Sequence, residues 1–267
     1  MTKKTCSWQK IFKRFGYARL RHPHAILTMM PIQFPLDLNW QVPHHVFSTY
    51  VTGNNQLAYQ SLLQVISGGG ENVLYLWGPT GLGKTHLLQA ACDEVAKHQG
   101  VPAYLPLSQL RDLPIEAIEG LDQMDLVCFD DIQSIAGLSD WEDALFCLFN
   151  QLRETNTPLL ISGNAAPQAL GLGLPDLVSR LSWGGVFLLE ALSDEDTSQV
   201  LKTYAAGLGL TLADPVANYL MSRCSRDLKI LIDWLDRLDY ASLSCKHRLT
   251  VPFVREILDG HQQEVHE

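Results

Sequence analysis

The sequence predicts an α/β fold, a parallel sheet covered by helices on both faces, followed by a small all-helical domain. Three observations carry this. Short apolar runs of strand length alternate with helical patterns from residue 73 to about residue 190. The first run, Val73-Leu74-Tyr75-Leu76-Trp77, leads straight into Gly78-Pro79-Thr80-Gly81-Leu82-Gly83-Lys84-Thr85, a GxxxxGK[ST] signature, and then into a helical pattern from His86 to His98. Beyond Ser193 the strand signal stops and only helical patterns follow.

Taken in order, residues 31–46 are punctuated by Pro and His, lack helical periodicity and read as an extended linker. A helix is expected from Asn54 to Ile66, stopped by Gly68-Gly69-Gly70. Strand 73–77 is followed by the signature loop and its helix. Strand 101–106 leads to a helix near 115–120. Strand 125–129 leads to a helix from Trp141 to Glu154. Strand 158–162 leads to Pro167 and a Gly/Pro-rich stretch, and a last strand lies near 185–189. Alternation of this kind implies parallel strands buried on both faces. Helices are expected at 194–207, 214–223, 226–242 and 251–259, so the boundary between the two parts falls at 190–193.

Composition limits the function classes. The chain of 267 residues is 46% hydrophobic and 18% charged, enough apolar material for a sizeable core. It contains no apolar run long enough to span a membrane. Six cysteines, at positions 6, 92, 128, 147, 224 and 245, form no CxxC pair. That pattern points to a reducing, cytoplasmic setting and away from zinc or a disulfide framework. The net charge of −9 is uneven. Residues 1–29 hold seven basic residues and no acidic one; the remaining 13 basic residues face 29 acidic ones, a balance of −16. So acidic a body is a poor candidate for tight DNA binding by itself, because phosphate contacts dominate such affinity. The basic head reads as an amphipathic targeting segment, a nucleic-acid-binding arm, a disordered tail, or sequence ahead of a true start at Met29 or Met30.

The signature loop carries the first chemistry. Its glycines let backbone N–H groups turn inward around phosphate oxygens, and the following helix N-terminus adds partial positive charge behind them. Residues Gly78, Pro79, Thr80, Gly81, Leu82, Gly83, Lys84, Thr85 and His86 are the expected nucleotide-binding set. Lys84 reaches the β/γ-phosphates and the Thr85 hydroxyl ligates Mg²⁺. Leu126-Val127-Cys128-Phe129-Asp130-Asp131 is a buried strand ending in two carboxylates, 46 residues after Lys84. Asp130 is expected to hold Mg²⁺ and Asp131 to polarise an attacking water. Strand 158–162 ends in Ser162-Gly163-Asn164, and Asn164 is either a water-positioning residue beside Asp130 or a turn asparagine. Arg180 and Arg226 read as phosphate-sensing arginines or as surface ion pairs.

Together these residues resemble the AAA+ ATPases of the bacterial initiator DnaA family. The likeness rests on Val46-Phe47-Ser48-Thr49-Tyr50-Val51 with Gly53-Asn54-Asn55-Gln56-Leu57-Ala58; on Trp77 through His86 with Leu87-Leu88-Gln89-Ala90; and on Phe129-Asp130-Asp131-Ile132-Gln133 with Ala136-Gly137. It covers about Val46 to Leu258. The resemblance implies a P-loop AAA+ core at 46–192 and a helical lid at 193–260, with a tail at 261–267; the charge pattern sets apart the basic extension at 1–30, disordered or a mis-annotated start. It implies sensor 1 at Asn164, a trans-acting arginine finger at Arg180 and sensor 2 at Arg226. The residues after the lid carry no helix-turn-helix pattern, so DNA recognition in the DnaA manner is not expected and the chain looks like the Hda-like branch of the family. Gly173-Leu174-Pro175-Asp176-Leu177, Leu192-Ser193-Asp194-Glu195-Asp196 and Leu249 through Leu258 carry that likeness.

Hda-like chains carry a short sliding-clamp-binding peptide near the N-terminus, and Gln33-Phe34-Pro35-Leu36-Asp37-Leu38 fits it. Gln33, Phe34, Leu36 and Leu38 would engage an apolar cleft and its rim within residues 31–45. The expected function is negative regulation of replication initiation. The chain would bind ADP or ATP with Mg²⁺, ADP being the favoured reading, dock on the DNA polymerase III β sliding clamp, and stimulate ATP hydrolysis by DnaA. Self-association through AAA+ faces stays open. Two alternatives stand beside this: an autonomous ATPase that loads or remodels a replication partner, and a DNA-binding loader that uses the basic head.

Overall fold

The computed structural model describes residues 46–225, 227–245 and 248–264. Five strands form one parallel sheet: β1 (Val73–Trp77), β2 (Pro102–Pro106), β3 (Leu126–Asp130), β4 (Leu159–Gly163) and β5 (Gly185–Leu188), in the spatial order β2-β3-β4-β1-β5. Each begins and ends within one residue of its expected position. The sheet is covered by α1 (Gln56–Ile66), α2 (Lys84–Lys97), the one-turn α3 (Leu107–Leu110), α4 (Ser139–Glu154) and α5 (Pro175–Leu181). Then come four helices, α6 (Asp194–Gly207), α7 (Asp214–Arg223), α8 (Leu228–Cys245) and α9 (Val251–Glu264).

The apolar strands read as continuous runs because both sheet faces are buried, with successive side chains going to opposite sides. Tyr75, Val127, Phe129, Leu159 and Ile161 pack on one face with Trp141, Leu145 and Phe149 of α4. Leu74, Leu76, Leu126, Cys128 and Leu160 pack on the other with Leu62 of α1 and Leu87 and Leu88 of α2. The helical part has its own core, built on Leu201, Leu220, Leu231, Leu235, Leu238 and Val254. Ser193 caps α6: its Oγ accepts the Asp196 N–H at 3.1 Å and donates to the Asp196 carboxylate at 2.7 Å. Asn55, in front of α1, clasps Glu190 beyond β5, donating to its carbonyl at 2.9 Å and accepting its N–H at 2.7 Å.

Two expected elements change. The helix near 115–120 is a single 3-10 turn, Ile115–Ile118, because Pro114 opens it from an extended conformation and extended Glu119 and left-handed Gly120 follow. The helix expected at 226 is described from Leu228, with Asp227 in front of it. Cys92 of α2 and Cys128 of β3, 36 residues apart, bring their thiols to 3.5 Å, and burial pushes the Cys128 thiol well up. No described helix is long and apolar enough to cross a membrane.

Candidate functional site

The signature loop leaves β1 with the Gly78 N–H donating to the Gly163 carbonyl of β4 at 3.3 Å. Gly81 and Gly83 follow at φ 81° and 83°, a region that a β-carbon disfavours. Gly83 stands in front of α2 with no side chain capping the helix, which leaves the first N–H groups for a ligand. Lys84 is only 8% exposed. Its ammonium turns back onto the loop and donates to the carbonyls of Gly78 at 2.7 Å and Pro79 at 2.6 Å. Burial lowers its pKa; the carboxylates of Asp131, Asp130 and Asp227 pull in the other direction.

Thr85, the next residue, donates its hydroxyl to Asp130 Oδ2 at 2.7 Å. Asp130 ends β3, is 3% exposed, and is held by two further hydroxyls. Tyr104 of β2 donates to Oδ2 at 2.6 Å, and Ser162 of β4 donates to Oδ1. The Ser162 oxygen in turn accepts the Asp131 N–H at 2.9 Å. The sheet order explains the convergence, since β3 lies between β2 and β4. Burial first, and then the Asp130 charge and hydrogen bond, raise the Tyr104 phenol strongly, so it stays a donor. Thr85 and Asp130 offer two hard oxygen ligands within hydrogen-bond reach of each other. That fits Mg²⁺, which takes one or two protein oxygens and completes its shell with water and phosphate. Among the described residues no three His, Cys, Asp or Glu side chains gather as a metal cage.

Asp131 sits in the left-handed region at φ 61°, ψ 52°, which turns the chain sharply after β3. Its carboxylate accepts from Gln133 Nε2 at 3.0 Å, and Gln133 Oε1 accepts the Asn164 N–H at 3.1 Å. Asn164 is exposed at the end of β4. The residue that touches Asp130 is Ser162, two positions earlier. A hydroxyl inside the otherwise apolar Leu159-Leu160-Ile161-Ser162 run was the available signal, as was the phenol of Tyr104 in β2.

Beside the loop lies a cleft of about 700 Å³ lined by Tyr50, Val51, His86, Leu192, Leu228 and Leu231, among others. Tyr50 stacks on Tyr59 with ring centroids 5.7 Å apart and planes 10° apart, and lies 5.5 Å from the His86 ring. Burial and the neighbouring Tyr59 push the Tyr50 phenol up to about 12. His86 Nε2 lies 3.1 Å from the Val46 carbonyl, so the ring ties the first described residue to α2. An apolar, aromatic-sided cleft opening onto a phosphate-type loop has the shape and chemistry for a nucleoside. Of the other site residues read from the sequence, Arg226, Gln33, Phe34, Leu36 and Leu38 lie outside the described residues.

Arg180 sits elsewhere. It is in the last turn of α5, with its guanidinium carbon 4.0 Å from the centre of the Trp183 ring and 5.7 Å from that of Phe146. Arg153 of α4 shares the same indole at 4.6 Å. Among the described residues no carboxylate pairs with either arginine's neighbourhood on Trp183. Gly184 packs against the Val73 backbone at the start of β1, so Trp183 lies at the amino edge of the sheet. The signature loop leaves the carboxyl edge. A five-residue strand spans roughly 16 Å, so Trp183 and the signature loop lie toward opposite ends of β1.

A model of the bacterial DnaA ATPase domain matches residues 42–187, and a model of the Hda lid domain matches residues 194–258. An uncharacterized protein of Haemophilus influenzae is 41% identical over 228 residues, 85% of this chain and 98% of that protein. Domain III of the Thermotoga maritima replication initiation protein DnaA superposes with a TM-score of 0.74 at 24% identity, covering 82% of this chain and 97% of that one. AMPPCP-bound DnaA from Aquifex aeolicus gives 0.63 at 24% identity, over 75% and 66% of the two chains. The T. maritima RuvB Holliday junction branch migration motor gives 0.59 at 19% identity, over 77% and 67%. The structural likenesses speak for the fold, and the two domain matches speak for the family: this chain belongs to the DnaA family of AAA+ proteins and carries a lid of the Hda type.

Proposed function

We propose that this DnaA-related replication regulator acts on ATP held by another protein. It binds an adenine nucleotide in the cleft beside Tyr50, with the phosphates on the Gly78–Thr85 loop. Thr85 and Asp130 would hold Mg²⁺, which when bound neutralises phosphate charge. Lys84 moves from the Gly78 and Pro79 carbonyls to phosphate oxygens, and the lid helices cover the base. Gln33–Leu38 docks on the sliding clamp. Arg180 then reaches ATP bound to DnaA and stabilises the charge that builds on the γ-phosphate oxygens, leaving DnaA with ADP.

The observation that carries this reading is the place of Arg180. It stands toward the sheet edge opposite its own phosphate loop, half-buried, with its guanidinium on the faces of Trp183 and Phe146. A guanidinium so placed serves a phosphate on a second molecule better than one in its own cleft. The test is DnaA ATP hydrolysis with and without this protein and DNA-loaded clamp. Faster hydrolysis only when both are present supports the reading; an unchanged rate sinks it. A second reading, an autonomous ATPase that loads or remodels a replication partner, draws on the joined Thr85, Asp130 and Asp131. Steady ATP turnover by the purified chain alone would favour it.

A further inference from the structure

The helical part does not only roof the cleft; it puts a negative charge on the phosphate loop. Asp227 directly precedes α8. Its Oδ1 lies so close to Gly81 that a β-carbon there would overlap it, and its Oδ2 is 3.4 Å from the Thr80 hydroxyl, its donor. Gly81, at φ 81°, thus serves twice, since its bare backbone makes the turn and admits the carboxylate. The same carboxylate caps the helix, Oδ1 accepting the Lys229 N–H at 2.9 Å. Its charge also reaches Lys84, which already faces Asp130 and Asp131.

We propose that Asp227 is a charge-selecting residue of the nucleotide site: it occupies part of the phosphate loop as an anion and opposes nucleotides in proportion to their phosphate charge. The inference rests on the reading that this loop binds nucleotide phosphates. A phosphate on Thr80 and Gly81 meets an acceptor-only group that already holds the Thr80 hydroxyl. The carboxylate has to withdraw, taking the start of α8 with it, or remain and repel the ligand. The penalty grows from AMP through ADP to ATP, because each further phosphate adds charge. By reciprocity, nucleotide on the loop weakens the hold of α8 on it.

Asn at position 227 separates charge from structure, because it caps a helix about as well as Asp and still offers an oxygen to Thr80. Titration calorimetry with AMP, ADP and ATP on the full wild-type chain, Asp227→Asn and Lys84→Ala tests the proposal. Asp227→Asn is expected to bind ADP roughly three- to tenfold more tightly, a range set by one charge at close approach in a wet site. The gain is expected to be larger for ATP and smaller for AMP, and to shrink in high salt. The melting temperature of the nucleotide-free chain should stay the same. If Asp227→Asn binds ADP and ATP no more tightly than wild type while Lys84→Ala weakens both, Asp227 is a helix cap only and the proposal is overturned. If wild type and Lys84→Ala bind ADP equally, or neither binds it, the phosphate-site reading itself is overturned and the inference falls with it.

Discussion

The two edges of the sheet hold charge in different ways. At the carboxyl edge, Asp130 is buried and its oxygens are met by hydroxyls from α2, β2 and β4. A buried carboxylate so engaged is fixed, since losing a partner leaves an unsatisfied group costing roughly 1–3 kcal/mol. At the amino edge, Arg180 rests on Trp183 and Phe146 in partial contact with solvent. Exposed cation–π contacts are worth only about 0.5–1 kcal/mol each. The first arrangement suits a site whose parts stay in place for their ligand. The second suits a side chain that is stored and then released to a partner.

The largest expected effect tests the release. Arg180→Ala should keep ADP and clamp binding yet lose most stimulation of DnaA ATP hydrolysis. Fingers supplied in trans are worth roughly 10³–10⁵ in other NTPases, and a regulator can fall well below that. Arg180→Lys should recover little, lacking the planar fork. Normal stimulation by the Ala variant would place the catalytic arginine elsewhere. Next comes Lys84→Ala, which removes one charge-assisted phosphate contact of about 1.5–3 kcal/mol. That is roughly a ten- to hundredfold loss of ADP affinity by calorimetry, and equal affinity would remove Lys84 from the site.

Ser162→Ala tests the fixed edge. It leaves an Asp130 oxygen and the Asp131 N–H without their partner, a loss of about 2–4 kcal/mol. The melting temperature should fall by roughly 5–15 °C, and no fall would mean water replaces the hydroxyl. Trp183→Ala tests the stored edge and should change the concentration giving half-maximal DnaA stimulation by only about two- to fivefold, in line with the weak contacts. Trp183→Phe should restore much of it, and a change as large as that of Arg180→Ala would make Trp183 part of the chemistry. The smallest effect is in proton uptake. Burial lowers the Lys84 pKa from 10.5 and bound phosphate raises it again. ADP binding should therefore take up a fraction of a proton near the lowered value, and affinity should decline as pH rises through it. Calorimetry in buffers of different ionisation enthalpy reads this directly.

The readable part of the molecule was the locally encoded part. The loop Gly78–Thr85 announces itself because each constrained position is contiguous. The strands announce themselves because burial on both faces makes them uniformly apolar. The helical pattern from residue 194 announces α6, which the structure shows to be capped by Ser193 within its first turn. Pro114 and Gly120 likewise hold the local signal that limits residues 115–118 to one 3-10 turn.

What the sequence left open depends on which strands are neighbours. Insertion of β4 between β3 and β1 makes Ser162, rather than Asn164, the partner of Asp130. The place of β2 beside β3 brings in Tyr104 from 26 residues away. Asp227 meets the phosphate loop across 147 residues, and the thiols of Cys92 and Cys128 meet across 36. None of these pairs has a local pattern, because a hydrogen bond or steric contact depends on distance in space and not along the chain. By itself the sequence determined the family, the phosphate loop, the two carboxylates and the helical lid, since each is written in residues a few positions apart. Only the tertiary structure decided how Asp130 is held, that Arg180 rests on Trp183 and Phe146, and that the lid sets a carboxylate on Gly81. Those are properties of sheet order and of how the lid packs, fixed by long-range contacts that no short stretch of sequence records.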